Sequence, residues 1–442
     1  MTVLESGPSL ADPVLAAQVA EATRLPIGSA SALVRRYRTE LTTRSSNVRE
    51  IVRGATLGGS GAVNGGYFCR GLPDDFADFP AGWSWPQVLQ SYRAIETDRD
   101  FHGPQHGDRG PIPVQRSIQL RSESNRFIDA MTRFGFDWID DLNDSTRASG
   151  SGVGLVPLNI IGGVRVGPGA AYLIPALGRP NVTVRTGTRA LRLVIQSGRA
   201  VAVEAIGEHG LIRFTADRIM LCAGAIGSSH LLMLSGIGEP GMLRDLDIVV
   251  HAALPVGVFA DHPEWLVDVD WPGVAGRPVL ETVLHHDNLE IRPYSCSFAA
   301  MVGQSEHPDR PHIGVALMRP QARGRLSVVS ADPRVPPRIE HRYDTAPADL
   351  AALRRGVDLV GQVLTGKTEA YVPRWSTSQH LCGTAPLGAD GDETAVLDPQ
   401  CRVRGIDGLW VIDGSALPRI VSRGPHATIA MLAHRATTLL GA

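Results

Sequence analysis

Lysine is almost absent from this chain of 442 residues, since Lys367 is the only one and arginine supplies the remaining basic charge. Basic and acidic residues nearly balance, with 43 against 45 and a formal net charge of −2. Such a chain lacks the broad basic surface that attracts nucleic acids or anionic membranes. We therefore expect neither of them as the main partner.

Cysteine is scarce as well, and no two of its residues form a C-x-x-C pair (Cys69, Cys222, Cys296, Cys382 and Cys401). An odd and scattered set in a long chain indicates reduced thiols in a reducing compartment. No stretch reaches the roughly 18 consecutive apolar residues of a membrane span, and the start lacks the basic and apolar regions of a signal peptide. We expect a cytoplasmic protein without a transmembrane segment. Peripheral contact with a membrane is compatible with this expectation.

Glycine is plentiful, and the segment from Arg53 to Gly71 is especially rich in it. A regular helix or strand throughout is excluded, because glycine loses more backbone entropy on folding than any other residue. The same residues let the backbone approach a large flat or anionic ligand. A flexible surface loop is the alternative, but a solvated linker does not need Leu57, Val63 and Phe68. We predict a loop that follows a ligand and leads into a short helix.

The length exceeds what one hydrophobic core usually serves, so we expect two domains. After Arg218, residues 219–222 form a continuous apolar run that breaks at Gly224 into a helical pattern, which is typical of a parallel sheet with a ligand at the strand ends. Alternating segments in 181–214 predict a small antiparallel meander. The strand and helix patterns of 311–364 indicate a second domain that covers the ligand.

Two other patterns imitate ligand sites. Residues 236–241 match G-x-G-x-x-G, but they follow a helix and contain Pro240, so we predict a helix end and a turn. His102 and His106 have the spacing of helical metal ligands. Gly103 and Pro104 between them forbid a helix and no third ligand is near, so we expect an ordinary loop and no metal site.

Two histidines near the C-terminus, His380 and His426, each follow turn residues, with an apolar strand ending at Asp413 between them. A buried strand would bring both back to one place, which suits an acid–base pair facing a bound reactant. Surface or packing roles are the commoner fate of two histidines. A serine hydrolase that uses His380 is a weaker alternative, because no G-x-S-x-G elbow is present.

Together these motifs resemble the glucose–methanol–choline oxidoreductases, in the expected order and over nearly the whole chain. Gly54 to Asn64 is similar to the first signature of that family, and Ala223 to Ser228 with the following helix to the second. Pro255 to His262 and the C-terminal histidine stretch complete the set. The run Gly65 to Pro73 is further similar to the mycofactocin-associated actinobacterial branch, whose members are thought to reoxidise reduced mycofactocin and pass electrons towards respiration.

The resemblance implies a fold of the α/β plus α+β class. An FAD-binding domain with a Rossmann-like parallel sheet would comprise residues 1–70, 181–262 and 378–442. A discontinuous substrate domain, built on an antiparallel sheet and helices, would comprise residues 71–180 and 263–377. The substrate would be a small-molecule alcohol or a modified peptide, and the electron acceptor is not indicated, although a respiratory one would suit the branch.

The resemblance also implies roles for the two histidines. His380 would take the alcohol proton while hydride leaves for flavin N5, because a neutral imidazole is the base that suits this task near pH 7. His426 would hold the substrate oxygen and stabilise its developing charge. A choline- or alcohol-dehydrogenase-like member with another small alcohol, or a non-catalytic remnant, are the alternatives.

The resemblance assigns FAD contacts to residues at strand ends and in the glycine-rich segment, with Leu193 contributing main chain to the adenine (Glu5, Gly58, Gly59, Ser60, Asn64, Gly65, Leu193, Ala223, Gly224, Asp413 and Gly414). Some relatives attach FAD through a histidine at the position of Val63. Because valine has no nucleophilic atom, we expect non-covalent FAD.

One departure concerns the start of the chain. Relatives begin with a strand and a G-x-G-x-x-G segment before the part that matches Met1 to Pro8. We therefore expect the first strand of the parallel sheet, and the helix N-terminus that binds the FAD pyrophosphate, to be absent. Either the start codon is placed about 30 residues late, from the size of a βαβ unit, or the chain does not hold FAD tightly.

Overall fold

A computed structural model describes residues 1–44, 46–146, 150–273, 276–304, 309–365 and 371–441, so Lys367 lies outside the described residues. The α-helices are α1 (Pro13–Ala20), α2 (Trp85–Ile95), α3 (Ser122–Phe134), α4 (Ile174–Ala176), α5 (Gly224–Leu234), α6 (Pro240–Arg244), α7 (Phe298–Met301), α8 (Pro347–Thr365) and α9 (His426–Leu439).

The strands before residue 240 are β1 (Thr2–Leu4), β2 (Val34–Glu40), β3 (Val48–Gly54), β4 (Glu96–Asp98), β5 (Ile112–Val114), β6 (Asp137–Ile139), β7 (Gly152–Leu155), β8 (Ile160–Ile161), β9 (Val164–Arg165), β10 (Thr183–Arg185), β11 (Arg189–Gln196), β12 (Arg199–Gly207), β13 (Gly210–Thr215), β14 (Ile219–Leu221) and β15 (Ile237–Gly238). Those after it are β16 (Ala252–Ala253), β17 (Val258–Phe259), β18 (Pro263–Asp268), β19 (Thr282–His286), β20 (Leu289–Pro293), β21 (His312–Leu317), β22 (Gly324–Ser327), β23 (Arg338–Glu340), β24 (Arg374–Thr377) and β25 (Leu409–Val411).

The largest sheet has seven strands in the order β24-β18-β21-β20-β19-β7-β6, antiparallel except for its last pair. Side chains alternate between its two faces because successive residues of a strand point in opposite directions. One face is apolar and packs against α3 and α8 through residues such as Leu284, Ile291 and Val315. The opposite face carries polar and charged side chains, described below.

Two pairs of parallel strands form the part of the fold that resembles a Rossmann sheet. β1 pairs with β10, and β14 pairs with β25. In the described residues these two pairs are not hydrogen-bonded to each other. The carboxyl ends of β14 and β25 lead directly to Gly224 and Asp413, which places both residues at one edge. The predicted meander is present from residue 189 onward as the antiparallel sheet β11-β12-β13, whereas β10 pairs in parallel with β1 and lies outside it.

The combination of parallel pairs, antiparallel sheets and packed helices confirms the predicted α/β plus α+β class. The largest core cluster joins residues of β14, β25, α5 and α9, whereas a separate cluster lies between the seven-stranded sheet and its helices. The division into residues 1–70, 181–262 and 378–442 against 71–180 and 263–377 stays a prediction. None of the described helices is long and apolar enough to cross a membrane.

The segment that matches G-x-G-x-x-G begins with the predicted turn after a helix, but its later residues form β15 and the start of α6. α5 ends at Leu234, and Gly236 has a φ of 80°, which favours glycine. The Glu239 carboxylate then caps α6 by accepting hydrogen bonds from the backbone N–H groups of Gly241 and Met242, each 2.8 Å long. An acid already holds the amides that a phosphate would need, so this segment is unsuited to phosphate binding.

Candidate active site

His380 lies in the loop after β24 and is held by Asp261. The backbone N–H of His380 donates to Asp261 Oδ1 at 2.7 Å. The other carboxylate oxygen accepts a hydrogen bond from Thr377 Oγ1 at 2.8 Å and lies 3.0 Å from His341 Nε2. Burial opposes ionisation of Asp261, but His341 and Arg53 outweigh it and hold the pKa of this carboxyl below its usual range. The carboxylate thereby fixes the loop that carries His380.

The hydrogen bonds of His262 determine which nitrogen of His380 carries a proton. His262 Nε2 lies 3.0 Å from the carbonyl oxygen of Val421, and a carbonyl can only accept, so this nitrogen carries the hydrogen. Nδ1 of a neutral His262 must then accept, and its partner at 2.9 Å is His380 Nδ1. The network therefore assigns the proton of His380 to Nδ1 and leaves a lone pair on Nε2.

Both histidines of this pair are held in the neutral form. Burial, with help from Arg292, lowers the pKa of His262 to about 4. Burial, His262 and Arg292 lower the pKa of His380 well below its usual value. A neutral imidazole with a free Nε2 lone pair is what proton abstraction from an alcohol requires.

His426 is the first residue of α9, directly after Pro425. Burial lowers its pKa to about 4, and a helix N-terminus also disfavours a cation. Its Nε2 is buried and has no hydrogen-bond partner among the described residues. A buried polar nitrogen without a partner is costly. The arrangement therefore fits a group that receives a hydrogen-bond partner when a ligand binds.

Two glycines bring the two histidines into one region. A Cβ at Gly61 would lie 2.7 Å from His426 Cε1, so the glycine-rich segment packs directly on this imidazole. A Cβ at Gly424 would lie 2.8 Å from the Tyr67 ring and 3.5 Å from His380 Cε1. Gly424 thus separates Tyr67 from His380 and lies two residues before His426.

Two family models for the description "GMC oxidoreductase" match this chain, the N-terminal one over residues 28–263 and the C-terminal one over residues 320–433. A protein of Rhodococcus erythropolis described as an uncharacterised GMC-type oxidoreductase is 39% identical over 439 residues, which covers 94% of this chain and 88% of that protein. The chain belongs to the GMC oxidoreductase family. It is an FAD-dependent oxidoreductase, as members of this family are.

Other GMC relatives extend the comparison. An oxygen-dependent choline dehydrogenase of Rhizobium johnstonii is 31% identical over 436 residues, covering 83% of this chain and 78% of the relative. Among solved structures, pyridoxine 4-oxidase from "Mesorbium loti" is similar with a TM-score of 0.88, 24% identity and coverage of 100% and 94% of the two chains. A fungal aryl-alcohol oxidase has a TM-score of 0.80, 17% identity and coverage of 99% and 94%. These structures support the GMC fold.

The glycine-rich segment has the shape that an FAD cradle needs. Gly58 and Gly59 have φ values of 96° and 56°, and no heavy atom lies within 4 Å of a Cβ placed at Gly59. Ser60 is exposed and accepts a hydrogen bond from the N–H of Gly54 at 3.0 Å. Asn64 Oδ1 accepts from the N–H of Gly66, next to Gly65. An open glycine turn, followed at Gly61 by packing against the His426 imidazole, fits a flat ring system.

The strand ends fit FAD as well, although their side chains are already engaged. The Asp413 carboxylate accepts hydrogen bonds from Ser228 Oγ at 2.6 Å and from the N–H groups of Gly224 and Ser415 at 2.9 and 2.8 Å. Burial raises the pKa of Asp413. Asp413 thereby connects the end of β25 to the start of α5. Of the neighbouring residues predicted to contact FAD, Gly414 is buried and Ala223 is exposed. Direct contact of Asp413 with FAD stays a proposal.

Two other predicted FAD contacts, Glu5 and Leu193, differ in whether their polar groups are free to bind the cofactor. Glu5 directly follows β1, and its carboxylate accepts a hydrogen bond from the N–H of Gly7 at 2.7 Å while remaining partly exposed. An acid in this position suits a ribose hydroxyl. Leu193 is buried in β11 and donates its N–H to Ser235 Oγ at 2.8 Å. Its N–H is therefore unavailable to an adenine, which is a restriction that the sequence did not indicate.

Sequence reasoning missed several residues around His380. Asp261 and His262 end the segment Pro255 to His262, which resembles a family motif, so the sequence did contain a signal for both residues. Glu290 and Arg292 lie in β20, where polar and apolar residues alternate, and nothing in the sequence marks them as buried. The Tyr67 hydroxyl donates to Glu290 Oε2 at 2.6 Å, which links the glycine-rich segment to the seven-stranded sheet.

The loop that holds His106 is not an ordinary surface loop. His106 Nε2 lies 2.9 Å from Asp141 Oδ2 and Nδ1 lies 3.2 Å from Asp98 Oδ2, with Glu96 nearby. Burial opposes protonation, but the three carboxylates outweigh it and raise the pKa of His106 to about 10. The acids also bind guanidinium groups, Glu96 that of Arg70, and Asp98 and Asp141 that of Arg116. Glu96, Asp98 and His106 each place a possible ligand atom within 4.8 Å of the others, so the expectation that no third ligand is near is wrong. A proton on His106 would balance the charges of this cluster, and the absence of a metal site stays a prediction.

Proposed function

We propose that this protein oxidises an alcohol, with His380 as the base that takes the hydroxyl proton. The observation that carries the proposal is the chain of contacts from the Val421 carbonyl through His262 to His380, which leaves the lone pair of His380 on Nε2. A base needs a neutral, correctly oriented nitrogen, and two hydrogen bonds supply that orientation without using Nε2. Asp261 supports it by fixing the backbone of His380.

The proposed role of His426 follows from its unpartnered Nε2. When the proton leaves the alcohol, negative charge develops on its oxygen, and a neutral imidazole N–H at that point stabilises it. Burial strengthens this interaction, because surrounding water does not screen it. FAD, when bound, supplies the acceptor for the hydride that leaves the carbon of the alcohol. The product is then the corresponding carbonyl compound, and the hydroxyl proton passes to His380, whose lowered pKa favours its release to water.

The glycine turn of Gly58 and Gly59, the end of β1 at Glu5 and the edge near Gly224 would hold FAD. Val63 is buried and carries no nucleophilic atom, so we propose that the cofactor is bound non-covalently. The names of relatives and of structural neighbours include choline, pyridoxine and an aryl alcohol. Alcohols are the class that these names share, and this supports the choice of reaction.

A finer proposal concerns the donor and the acceptor. The similarity of Gly65 to Pro73 to the mycofactocin-associated branch favours reduced mycofactocin as donor and a respiratory acceptor. In this run Tyr67 and Arg70 contact Glu290 and Glu96. A choline-like or other small alcohol is the competing donor. Turnover with reduced mycofactocin at least ten times faster than with any small alcohol would support the branch assignment, and the reverse order would overturn it.

We also propose that the enzyme works in the cytoplasm. All five cysteines are free, and four of them are buried (Cys69, Cys296, Cys382 and Cys401). This fits a reducing compartment. The thiol state of protein isolated under alkylating conditions tests the proposal, and disulfide-linked cysteines would contradict it.

The test of the reaction is anaerobic reduction of the FAD-loaded protein by a panel of alcohols. We expect the flavin absorbance to bleach with at least one alcohol and His380→Ala to slow bleaching by about 10² or more. The matched control is His209→Ala, which removes an exposed histidine from the turn between β12 and β13. If no alcohol reduces the flavin, or if His380→Ala reduces at the normal rate, the proposal fails.

A further inference from the structure

The polar face of the seven-stranded sheet lies opposite its apolar core. One row of paired residues crosses it, with His285 beside Glu290, Glu290 beside Ala316, and Ala316 beside Glu264. Arg292 follows Glu290 by two residues and therefore points to the same side. Glu290 and Glu264 are 0% and 3% exposed, so this face buries two carboxylates.

This face, which we call the roof (Glu264, His285, Glu290 and Arg292), contacts the region of His380. Arg292 Nη1 donates to Ser378 Oγ at 2.7 Å, and the backbone N–H of Ser378 donates to the carbonyl oxygen of His262. Tyr67, which bonds to Glu290, lies against Gly424 together with His380. The roof therefore faces the place where we position the alcohol.

The charges of the roof are paired within it. Arg292 Nε donates to Glu290 Oε1 at 2.6 Å, and its Nη1 lies 3.3 Å from Glu264 Oε1. Tyr294 donates its hydroxyl hydrogen to the same oxygen of Glu264 at 2.9 Å. A Cβ at Gly314 would come 2.2 Å from that oxygen, so the glycine makes room for the arrangement. Arg423, also buried, adds a second guanidinium near Glu290.

Two carboxylates and two guanidinium groups leave this region without net charge. A quaternary ammonium group needs a free carboxylate or an aromatic cage in exchange for its water. Both carboxylates already share Arg292, so a cation would be placed beside a guanidinium. A carboxylate on the substrate would in turn meet Glu290.

His285 is the roof residue with capacity for a further partner. Both of its ring nitrogens are buried and make no hydrogen bond in the part of the chain that the structure describes, and Nδ1 lies 3.5 Å from Glu290 Oε2, so Nε2 is the nitrogen open to a further partner. Burial and Arg423 lower the pKa of His285 to about 3, so the imidazole is neutral, with one donor and one acceptor. With the hydrogen on Nδ1 facing Glu290, Nε2 is an acceptor, and a hydroxyl group offers the complementary donor.

We propose that the roof selects alcohols without net charge that carry a further hydroxyl group, and that the Glu290–Arg292 ion pair excludes quaternary ammonium alcohols. The inference rests on the proposed alcohol oxidation and goes beyond it by naming the substrate class. It also separates this chain from relatives whose names contain choline.

The test compares choline, glycerol and glycerate as anaerobic reductants of the FAD-loaded protein. These three alcohols are cationic, neutral and anionic. We expect wild-type kcat/KM to be at least about tenfold higher for glycerol than for either charged alcohol, a difference of about 1.4 kcal/mol. If choline reduces the flavin as well as glycerol does, the inference is overturned while the proposed reaction stands. If none of a wider alcohol panel reduces it, the proposed reaction itself fails.

Arg292→Met is the decisive variant, because it leaves Glu290 free to hold a cation. We expect the choline-to-glycerol ratio of kcat/KM to rise by at least about tenfold. Arg374→Met removes an exposed arginine of the same sheet that pairs with Asp268, and it serves as the matched control with an unchanged ratio. An unchanged ratio in Arg292→Met overturns the inference.

Loss of Arg292 leaves a buried carboxylate uncompensated, which can prevent folding. Glu290→Gln provides an independent test, because it leaves Arg292 in excess and should raise the glycerate-to-glycerol ratio. Binding of the inert cation tetramethylammonium, followed by perturbation of the oxidised flavin spectrum, measures the same preference without turnover. Tight binding of this cation to the wild-type protein would contradict the proposal, and weak binding would support it.

Discussion

The carbonyl of Val421 acts on the chemistry of the site although it touches no substrate. It fixes the hydrogen of His262, and His262 fixes that of His380. His262→Leu removes both bonds, so we predict a fall in kcat of at least about tenfold with little change in KM. His262 also lowers the pKa of His380, so its loss should move the acidic limb of the flavin-reduction profile to higher pH.

His262→Asn is the matched variant for this positioning role. Its amide oxygen can still accept the hydrogen of His380 Nδ1, so more activity should remain than in His262→Leu. The measurement is stopped-flow flavin reduction from pH 5 to 8. An acidic limb that stays at the wild-type pH in His262→Leu would show that His262 only fills space.

At the scale of elements, Asp413 joins β25 to the start of α5. Its carboxylate accepts three hydrogen bonds, from Ser228, Gly224 and Ser415, and is 5% exposed. Asp413→Ala leaves these donors without their acceptor, so we predict a loss of about 2–4 kcal/mol in the free energy of unfolding. Urea unfolding measures it, with Asp268→Ala at an exposed ion pair as the control. Equal losses in the two variants would contradict the joining role.

The same elements show how far the sequence was informative. The run 219–222 is apolar, but only Ile219 and Leu221 of β14 are buried, whereas Met220 is exposed. The following Gly224, with a φ of 76°, marks the turn into α5. The positions of His380 and His426 followed from motif order. Glu290 and Arg292 could not be predicted, because the alternation in β20 is that of a strand with one face in water. Only the packing of that face onto another part of the chain turns it into a buried ion pair.

At the scale of the whole molecule, buried histidines whose pKa values are shifted in opposite directions set the pH dependence of the free energy of unfolding. The pKa values of His262 and His426 are lowered to about 4 and that of His285 to about 3, whereas the pKa of His106 is raised to about 10. The first three contribute stability that is complete above pH 6.5 and is lost as the pH falls towards their folded values. His106 contributes stability that is complete below pH 6.5 and is lost as the pH rises towards 10.

We therefore predict a maximum in the free energy of unfolding near pH 6.5. Each histidine adds a slope of about 1.4 kcal/mol per pH unit within its own window. Denaturant unfolding of the protein at constant FAD concentration, from pH 5 to 9, measures the curve. His106→Gln should flatten the alkaline side and leave the acidic side unchanged. A wild-type curve without a maximum, or an acidic slope that disappears in His106→Gln, would contradict these roles of the histidines.

The base and the roof reside on separate pieces of the polypeptide. His380 depends on Asp261, His262 and Val421, whereas the ion pair of the roof lies two residues apart on a single strand. Under the proposed selectivity, a substitution at position 290 or 292 changes which alcohol the protein accepts. It leaves the bonds of His380 to Asp261 and His262 in place, although both side chains act on the pKa of His380 and Arg292 also holds Ser378. If the roof selects as proposed, descendants of such a protein can exchange one alcohol for another in one or two genetic steps while they inherit the bonds that orient the base.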